Sequence, residues 1–284
     1  MPLRGRGARY TRARHLVEWA LHQAYRGHWP ARLTRAVGMQ RTVRVVRHQL
    51  AIPGIEPLRI AFASDLHAGP TTHPSVHDEA FAQLAAAKPD VLLLGGDYVF
   101  LHAHYIHAIA DRLSALHPPL GIYAVMGNHD LWADDAEIAR ALTSAGARIL
   151  INERVELRPG VALAGLDDPW TGTPPTRPLF EATDRARIVL VHAPEAMLDL
   201  EDEPFELALC GHTHGGHIAL PGEIPVLVPG PLSRRYAHGR HDVGDGRTLI
   251  VSRGVGSTEV ALRTYADPDI LVVDLGSPVR LPSS

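Results

Sequence analysis

The sequence predicts an α/β fold of stacked βα units, and three features carry the prediction. From residue 58 to residue 145, short apolar runs alternate with segments of helical period, the pattern of parallel strands joined by crossover helices. Each apolar run is followed within a few residues by a carboxylate, an amide or an imidazole, as expected where loops at strand carboxyl ends carry chemistry. The second half is richer in strand-like runs and turns. With 284 residues the chain can bury a large core as one domain with an appendage.

The appendage comes first. Residues 1–48 hold eleven arginines and one acid, Glu18, a balance of +10 that leaves −13 on the remainder. A basic arm on an acidic body points to an anionic surface, either phospholipid headgroups or nucleic acid. Between Tyr10 and Trp29, Leu16, Val17, Trp19, Ala20, Leu21, Ala24 and Tyr25 recur at helical spacing. Such an arginine-rich helix bearing tryptophan either lies in a membrane interface or packs on the body. Pro30 marks a break. Residues 41–52 read as a strand, which gives a basic arm with its leading strand over 1–50 and a main domain over 51–284.

In the main domain, residues 58–63, 91–94 and 122–126 read as strands. Helices are expected over 74–88, 102–117 and 134–145, ended by Lys88-Pro89, Pro118-Pro119 and Gly146. Residues 155–157 and 161–164 flank Arg158-Pro159-Gly160 as a hairpin. A polar, proline-rich loop follows over 167–175, then strands over 188–191, 205–210, 247–252 and 270–274. No stretch reaches the ~18 consecutive apolar residues of a membrane span. The basic start lacks the apolar core and cleavage site of a secretory signal. The single cysteine, Cys210, excludes an intramolecular disulfide framework and reads as a small apolar residue in a buried strand.

The strand ends collect Asp65, His67, Asp97, Asn128 with His129, His192, His212 and His214. Without His129 these are seven nitrogen and oxygen ligands, too many for one ion and suited to two that share Asp97. His212 and His214 stand two residues apart at a strand end and are expected to point the same way, with Gly211, Gly215 and Gly216 leaving room beside them.

In order and spacing, Asp65-Leu66-His67, Gly96-Asp97, Gly127-Asn128-His129-Asp130, His192 and Gly211-His212-Thr213-His214 resemble the five motifs of calcineurin-like metallophosphoesterases. Lys88-Pro89-Asp90, residues 164–169, residues 211–220 and Ser252-Arg253-Gly254-Val255-Gly256 look like one bacterial branch of that family. This branch includes membrane-associated phosphodiesterases and UDP-2,3-diacylglucosamine pyrophosphatases. The sequence departs from that branch at Gly95, Ala193 and His217, where threonine, asparagine and glutamine are common; none of these is a ligand.

The resemblance implies a four-layer α/β-β/α sandwich of two mixed sheets flanked by helices. It gives one ion Asp65, His67, Asp97 and His214, and the other Asp97, Asn128, His192 and His212. The ions would be manganese, with iron or zinc as alternatives, and a hydroxide held between them would attack phosphorus. It makes His129 the general acid, with Asp130 either holding that imidazole or capping the next helix. Arg234, Arg235, Tyr236 and His238 resemble a substrate-proximal loop, and an arginine there would grip a second phosphate or sit in a solvated turn; His217 is a further candidate substrate contact. Trp170 either stacks on substrate or anchors its loop. The implied activity is hydrolysis of a phosphodiester or pyrophosphate, with a lipid-linked nucleotide as substrate, on the cytoplasmic face of the inner membrane. Two rival readings are a soluble nucleotide or nucleic-acid phosphodiesterase and a catalytically silent scaffold.

Overall fold

A computed structural model describes residues 11–276, except 174, 177, 201 and 202. Arg4, Arg6 and Arg9 of the basic arm and Pro174 of the proline-rich loop therefore lie outside the described residues. The strands are β1 Arg44–Leu50, β2 Leu58–Ala63, β3 Val91–Leu94, β4 Ile122–Ala124, β5 Ala147–Ile149, β6 Glu153–Arg158, β7 Val161–Gly165, β8 Ala186–Leu190, β9 Leu207–Cys210, β10 Ala219–Leu220, β11 Ile224–Pro225, β12 Gly239–Asp242, β13 Thr248–Val251 and β14 Asp269–Leu275. The helices are α1 Arg12–Ala24, α2 Trp29–Ala36, α3 Pro74–Ala86, α4 Ile106–Leu113, α5 Asn128–Trp132, α6 Asp135–Ser144 and α7 Pro231–Arg235.

Two six-stranded mixed sheets stack face to face, one in the order β1-β14-β2-β3-β4-β5 and the other in the order β12-β13-β9-β8-β7-β6. Strands β2, β3 and β4 run parallel in the first sheet, as do β7, β8, β9 and β13 in the second. The period of two along wholly buried strands explains the layering. Ile60, Phe62, Val91 and Leu93 face Leu163, Ile188, Leu190 and Leu209 across the central core. Ala61, Leu92 and Leu94 face α3, α4 and α6 through Phe81, Leu84, Ile109 and Leu142. The outer face of the second sheet packs against Leu200 and Phe205. Its outermost layer is thin, a 3-10 turn over Pro194–Leu198 and the five residues of α7.

Several elements differ from expectation for identifiable reasons. Pro30 does not end a helix but sits in the first turn of α2, where its missing N–H costs nothing; the break falls earlier, at Gly27 and His28. The leading strand β1 belongs to the first sheet, pairing along its length with β14. The helix expected over 102–117 is a 3-10 turn followed by α4. Helix α5 is too short to show a period, yet it carries Asn128, His129 and Asp130.

Helix α1 docks on the body through polar contacts. Arg14 pairs with Glu259 (3.0 Å) and Glu18 (2.9 Å), Tyr25 donates its O–H to the Glu259 carbonyl (2.8 Å), and His22 meets His102 (2.9 Å). No described residue of α1 is buried, and Leu16, Val17 and Trp19 face outward.

Candidate dinuclear metal centre

Asp65 and His67 follow β2, Asp97 follows β3, Asn128 opens α5 beyond β4, His192 follows β8, and His212 and His214 follow β9. The carboxyl ends of both sheets therefore supply the site, and hydrogen bonds tie one sheet to the other there. The His192 Nδ1–H donates to the Gly95 carbonyl (2.8 Å), which turns Nε2 inward. The His212 backbone N–H donates to both Asp65 carboxylate oxygens (3.1 and 3.0 Å).

Two clusters result. In the first, His67 Nε2 lies 3.1 Å from His214 Nε2 and 3.9 Å from Asp65 Oδ1, with His214 Nε2 3.5 Å from the same oxygen. In the second, His192 Nε2 lies 3.1 Å from both Asn128 Oδ1 and His212 Nδ1. Asp97 joins them, since its Oδ2 is 3.6 Å from His67 Nε2 and 3.3 Å from His192 Nε2. The structure thus brings together the seven residues that the sequence singles out, and His129 forms a further group of close donor atoms with His67 and Asp97.

One expectation about geometry fails. His212 and His214 do not share a strand face, because β9 stops at Cys210 and both sit in the left-handed region (φ 71° and 52°), so each turns to a different cluster. Asp65, His67 and Asp97 are left-handed as well (φ 51°, 41° and 56°). A non-glycine residue held there costs on the order of 1 kcal/mol or more, and five ligands at one site concentrate that strain. Two glycines admit the carboxylates. A Cβ on Gly127 would stand 2.2 Å from Asp97 Oδ1, and one on Gly211 would stand 2.1 Å from Asp65 Oδ2.

The electrostatics fit a pair of cations. Burial lowers His67 and His214 well below the ordinary imidazole value and His212 to about 3, so these rings offer lone pairs. Burial also opposes charge on His192, yet the Asp97, Asp65 and Asp168 carboxylates around it raise its pKa well above the ordinary value. Burial pushes Asp65 up to about 6, with His192 pulling it down and Asp97 adding to the rise. Neutral imidazoles plus buried carboxylates that recruit a proton form a donor set short of positive charge, the chemistry of a divalent-metal site without thiolate.

His129 lies at the rim, half-buried, its ring centroid 4.9 Å from His67 and 5.2 Å from Trp132. Its backbone N–H donates to Asp97 Oδ1 (2.8 Å). Asp130 does not hold the His129 imidazole. Its carboxylate accepts the backbone N–H groups of Asp97 (2.7 Å), Tyr98 (2.8 Å) and Gly127 (3.0 Å), and so fixes the turn that presents Asp97. Arg14 of α1 reaches the same rim, its guanidinium 4.9 Å over the Trp132 ring.

The other expected substrate residues divide. Trp170 stands beside the centre, its ring 5.3 Å from His212 and its Nε1–H bonded to Glu195 (3.3 Å). His217 lies 5.5 Å from the His214 ring and bonds to the Val260 carbonyl (2.8 Å). Arg234, Arg235 and Tyr236 are not brought to the metal ligands. Arg234 is exposed on α7, while Arg235 lies over the Tyr236 ring and both line a groove with Leu198, Phe205 and Arg247. Tyr236 turns that way because its ring packs on the outer core of the second sheet.

Sequence reasoning missed Arg263. It is buried, donates to the carbonyls of Gly256 (3.0 Å) and Arg253 (2.7 Å), and reaches His214 Nδ1 (2.9 Å). It comes from a loop of ordinary composition, and nothing in its spacing marks it.

Paired clusters that share a carboxylate at the joined edges of two stacked sheets form a candidate dinuclear metal centre, and the chain's family makes it a metal-dependent phosphoric ester hydrolase. The chain belongs to the calcineurin-like phosphoesterase family, whose profile matches residues 58–216. It is 34% identical over 244 residues to phosphodiesterase YaeI of Escherichia coli K12, covering 81% of this chain and 87% of that one. It is 30% identical over 260 residues to the metallophosphoesterase YkuE of Bacillus subtilis, covering 88% and 90%. Among solved structures, a dimetal phosphatase from Danio rerio is similar with a TM-score of 0.47 and 11% identity, over 70% of this chain and 88% of that one.

Proposed function

We propose that the chain hydrolyses phosphodiester or pyrophosphate bonds of an amphiphilic, lipid-linked nucleotide of the UDP-2,3-diacylglucosamine kind. The proposed setting is the cytoplasmic face of a membrane, which its basic arm engages. One observation carries this reading beyond the family's general activity: α1 turns its polar side to the rim beside His129 and leaves Leu16, Val17 and Trp19 exposed. A helix kept only for packing would bury those side chains, each of which gains roughly 1.5–3 kcal/mol on full burial. An arginine-rich helix with an outward tryptophan suits the headgroup region.

Asp65, His67, Asp97 and His214 would hold one cation, and Asp97, Asn128, His192 and His212 the other, with manganese the proposed metal. Two divalent cations supply Lewis acidity toward phosphoryl oxygens and lower the pKa of coordinated water. The protein positions these donors through Asp130, which fixes the Asp97 turn, and through Gly95, which orients His192. His129, whose ring lies beside His67 at the rim, would be left out of both ligand sets in this reading, so that its imidazole can hand a proton to the departing oxygen as the phosphorus–oxygen bond breaks.

The test is turnover by purified, manganese-loaded protein across a panel of phosphorylated compounds that includes UDP-diacylglucosamine. The reading predicts that lipid-linked pyrophosphates exceed soluble nucleotides in kcat/KM; the reverse order would contradict it.

A further inference from the structure

Exposed large apolar side chains are unevenly distributed over this protein. Of the sixteen among the described residues, fourteen fall in two stretches, residues 16–39 of the helical arm and residues 218–265 around β10 and β11. In the second stretch Leu220 is 54% exposed, Ile224 58% and Leu227 78%, on and just beyond a hairpin of two-residue strands. Isolated exposed leucines need no explanation, but a concentration of this kind marks an interaction surface.

The two stretches are neighbours in the fold. Residues 259–264 lie between them and are stitched to both. On the arm side, Tyr25 donates to the Glu259 carbonyl (2.8 Å) and Gln40 Nε2 to the Ala261 carbonyl (2.7 Å). On the hairpin side, the Ala219 N–H donates to the Thr264 carbonyl (2.8 Å) and Thr264 Oγ1 to the Ala219 carbonyl (3.1 Å). They border the metal centre, through Arg14 over Trp132 and through His217 beside His214.

We infer that the β10–β11 hairpin is a second membrane-contacting element, which with the arm seats the mouth of the metal centre against an anionic bilayer. The inference rests on the reading that the arm binds a membrane surface. Charge selects the occupant. Arg14, Arg41 and Arg44 pair with acids, but Arg12, Arg26, Arg32 and Arg35 are exposed and form no ion pair among the described residues, which favours phosphatidylglycerol-type headgroups and opposes a second copy of the same basic face. The arm, docked on the body at the rim, gives one contact and leaves the molecule free to tilt about it. Two contacts on either side of the mouth fix the molecule, so that a phosphodiester at headgroup depth meets the ligands without leaving the bilayer.

The experiment is flotation of the full, metal-loaded chain with vesicles of phosphatidylethanolamine and phosphatidylglycerol, against phosphatidylcholine vesicles. Wild type is compared with a hairpin variant (Leu220→Ser with Leu227→Ser) and an arm variant (Arg32→Glu with Arg35→Glu). Turnover of bis-p-nitrophenyl phosphate in solution reports the fold and the chemistry separately. The expected result is capture of wild type on the anionic vesicles, with partitioning roughly tenfold or more weaker in each variant and solution turnover unchanged. A hairpin variant that floats like wild type while the arm variant does not would overturn the hairpin's role and leave the arm reading intact. Failure of wild type to float would overturn both and leave the phosphodiesterase activity untouched. Loss of a concentration-dependent dimer in the hairpin variant, with vesicle capture unaltered, would assign the face to self-association instead.

Discussion

Asp130 accepts the backbone N–H of Asp97 at 2.7 Å, so the carboxylate beside the rim histidine organises the candidate bridging residue and not the imidazole next to it. Asp130→Ala leaves the N–H groups of Asp97, Tyr98 and Gly127 without their acceptor, and Asp97 loses its presentation. Changes in groups that orient metal ligands typically cost ~10–100-fold in metal affinity or activity. The expected signature is weaker metal binding by titration calorimetry and an equal fractional loss of turnover for good and poor leaving groups. A loss confined to poor leaving groups would place Asp130 in proton transfer.

His129 gives the opposite signature. His129→Ala should keep both metals and lose ~10²–10⁴-fold in turnover of alkyl phosphodiesters. The loss should be far smaller for p-nitrophenyl esters, whose leaving group needs no proton. Metal analysis and a leaving-group series check both halves of this expectation.

Arg263 is buried and spreads its guanidinium over the Gly256 and Arg253 carbonyls and His214 Nδ1. A lysine cannot reproduce that fork. Arg263→Lys should therefore lower stability by about 2 kcal/mol, since carbonyls are left without donors, and weaken binding at the Asp65–His67–His214 cluster more than at the other. Denaturant melts combined with metal titration measure the two effects.

His77 predicts a pH dependence of stability. It is buried, its Nε2–H donates to the Leu66 carbonyl (2.7 Å), and burial lowers its pKa from 6.5 to about 4. Above pH 6.5 neither the folded nor the unfolded state protonates it. Between 6.5 and about 4 the unfolded chain binds a proton that the folded one refuses, so stability falls as pH drops through that window. The full effect is on the order of 3 kcal/mol, at ~1.4 kcal/mol per unit. His77→Gln keeps a donor to Leu66 and should flatten the acid limb of the stability curve relative to wild type.

Sequence reasoning reached the candidate ligands because each follows an apolar strand, and parallel strands in stacked sheets bring their carboxyl ends to one edge. Asp65, Asp97 and His192 needed no more than that. What it could not reach depends on loop paths, which no period encodes. Arg263 enters from a loop stabilised by carbonyl contacts, and Arg14 enters from a helix whose docking rests on polar pairs such as Glu259. Arg235 and Tyr236 resemble part of a substrate-proximal loop, but in the structure Tyr236 packs on the outer core of the second sheet and Arg235 lies over its ring. The left-handed backbone at His212 and His214 also carries no sequence signal, because glycines beside a residue do not reveal the φ of the residue itself.

The shared carboxylate is the centre of the account. Anomalous diffraction from manganese-loaded crystals tests it most directly. The account predicts two peaks, one among Asp65, His67 and His214 and one among Asn128, His192 and His212, with Asp97 between them and at least one peak lost in Asp97→Asn. A single peak, or two that persist unchanged without the Asp97 carboxylate, would contradict it.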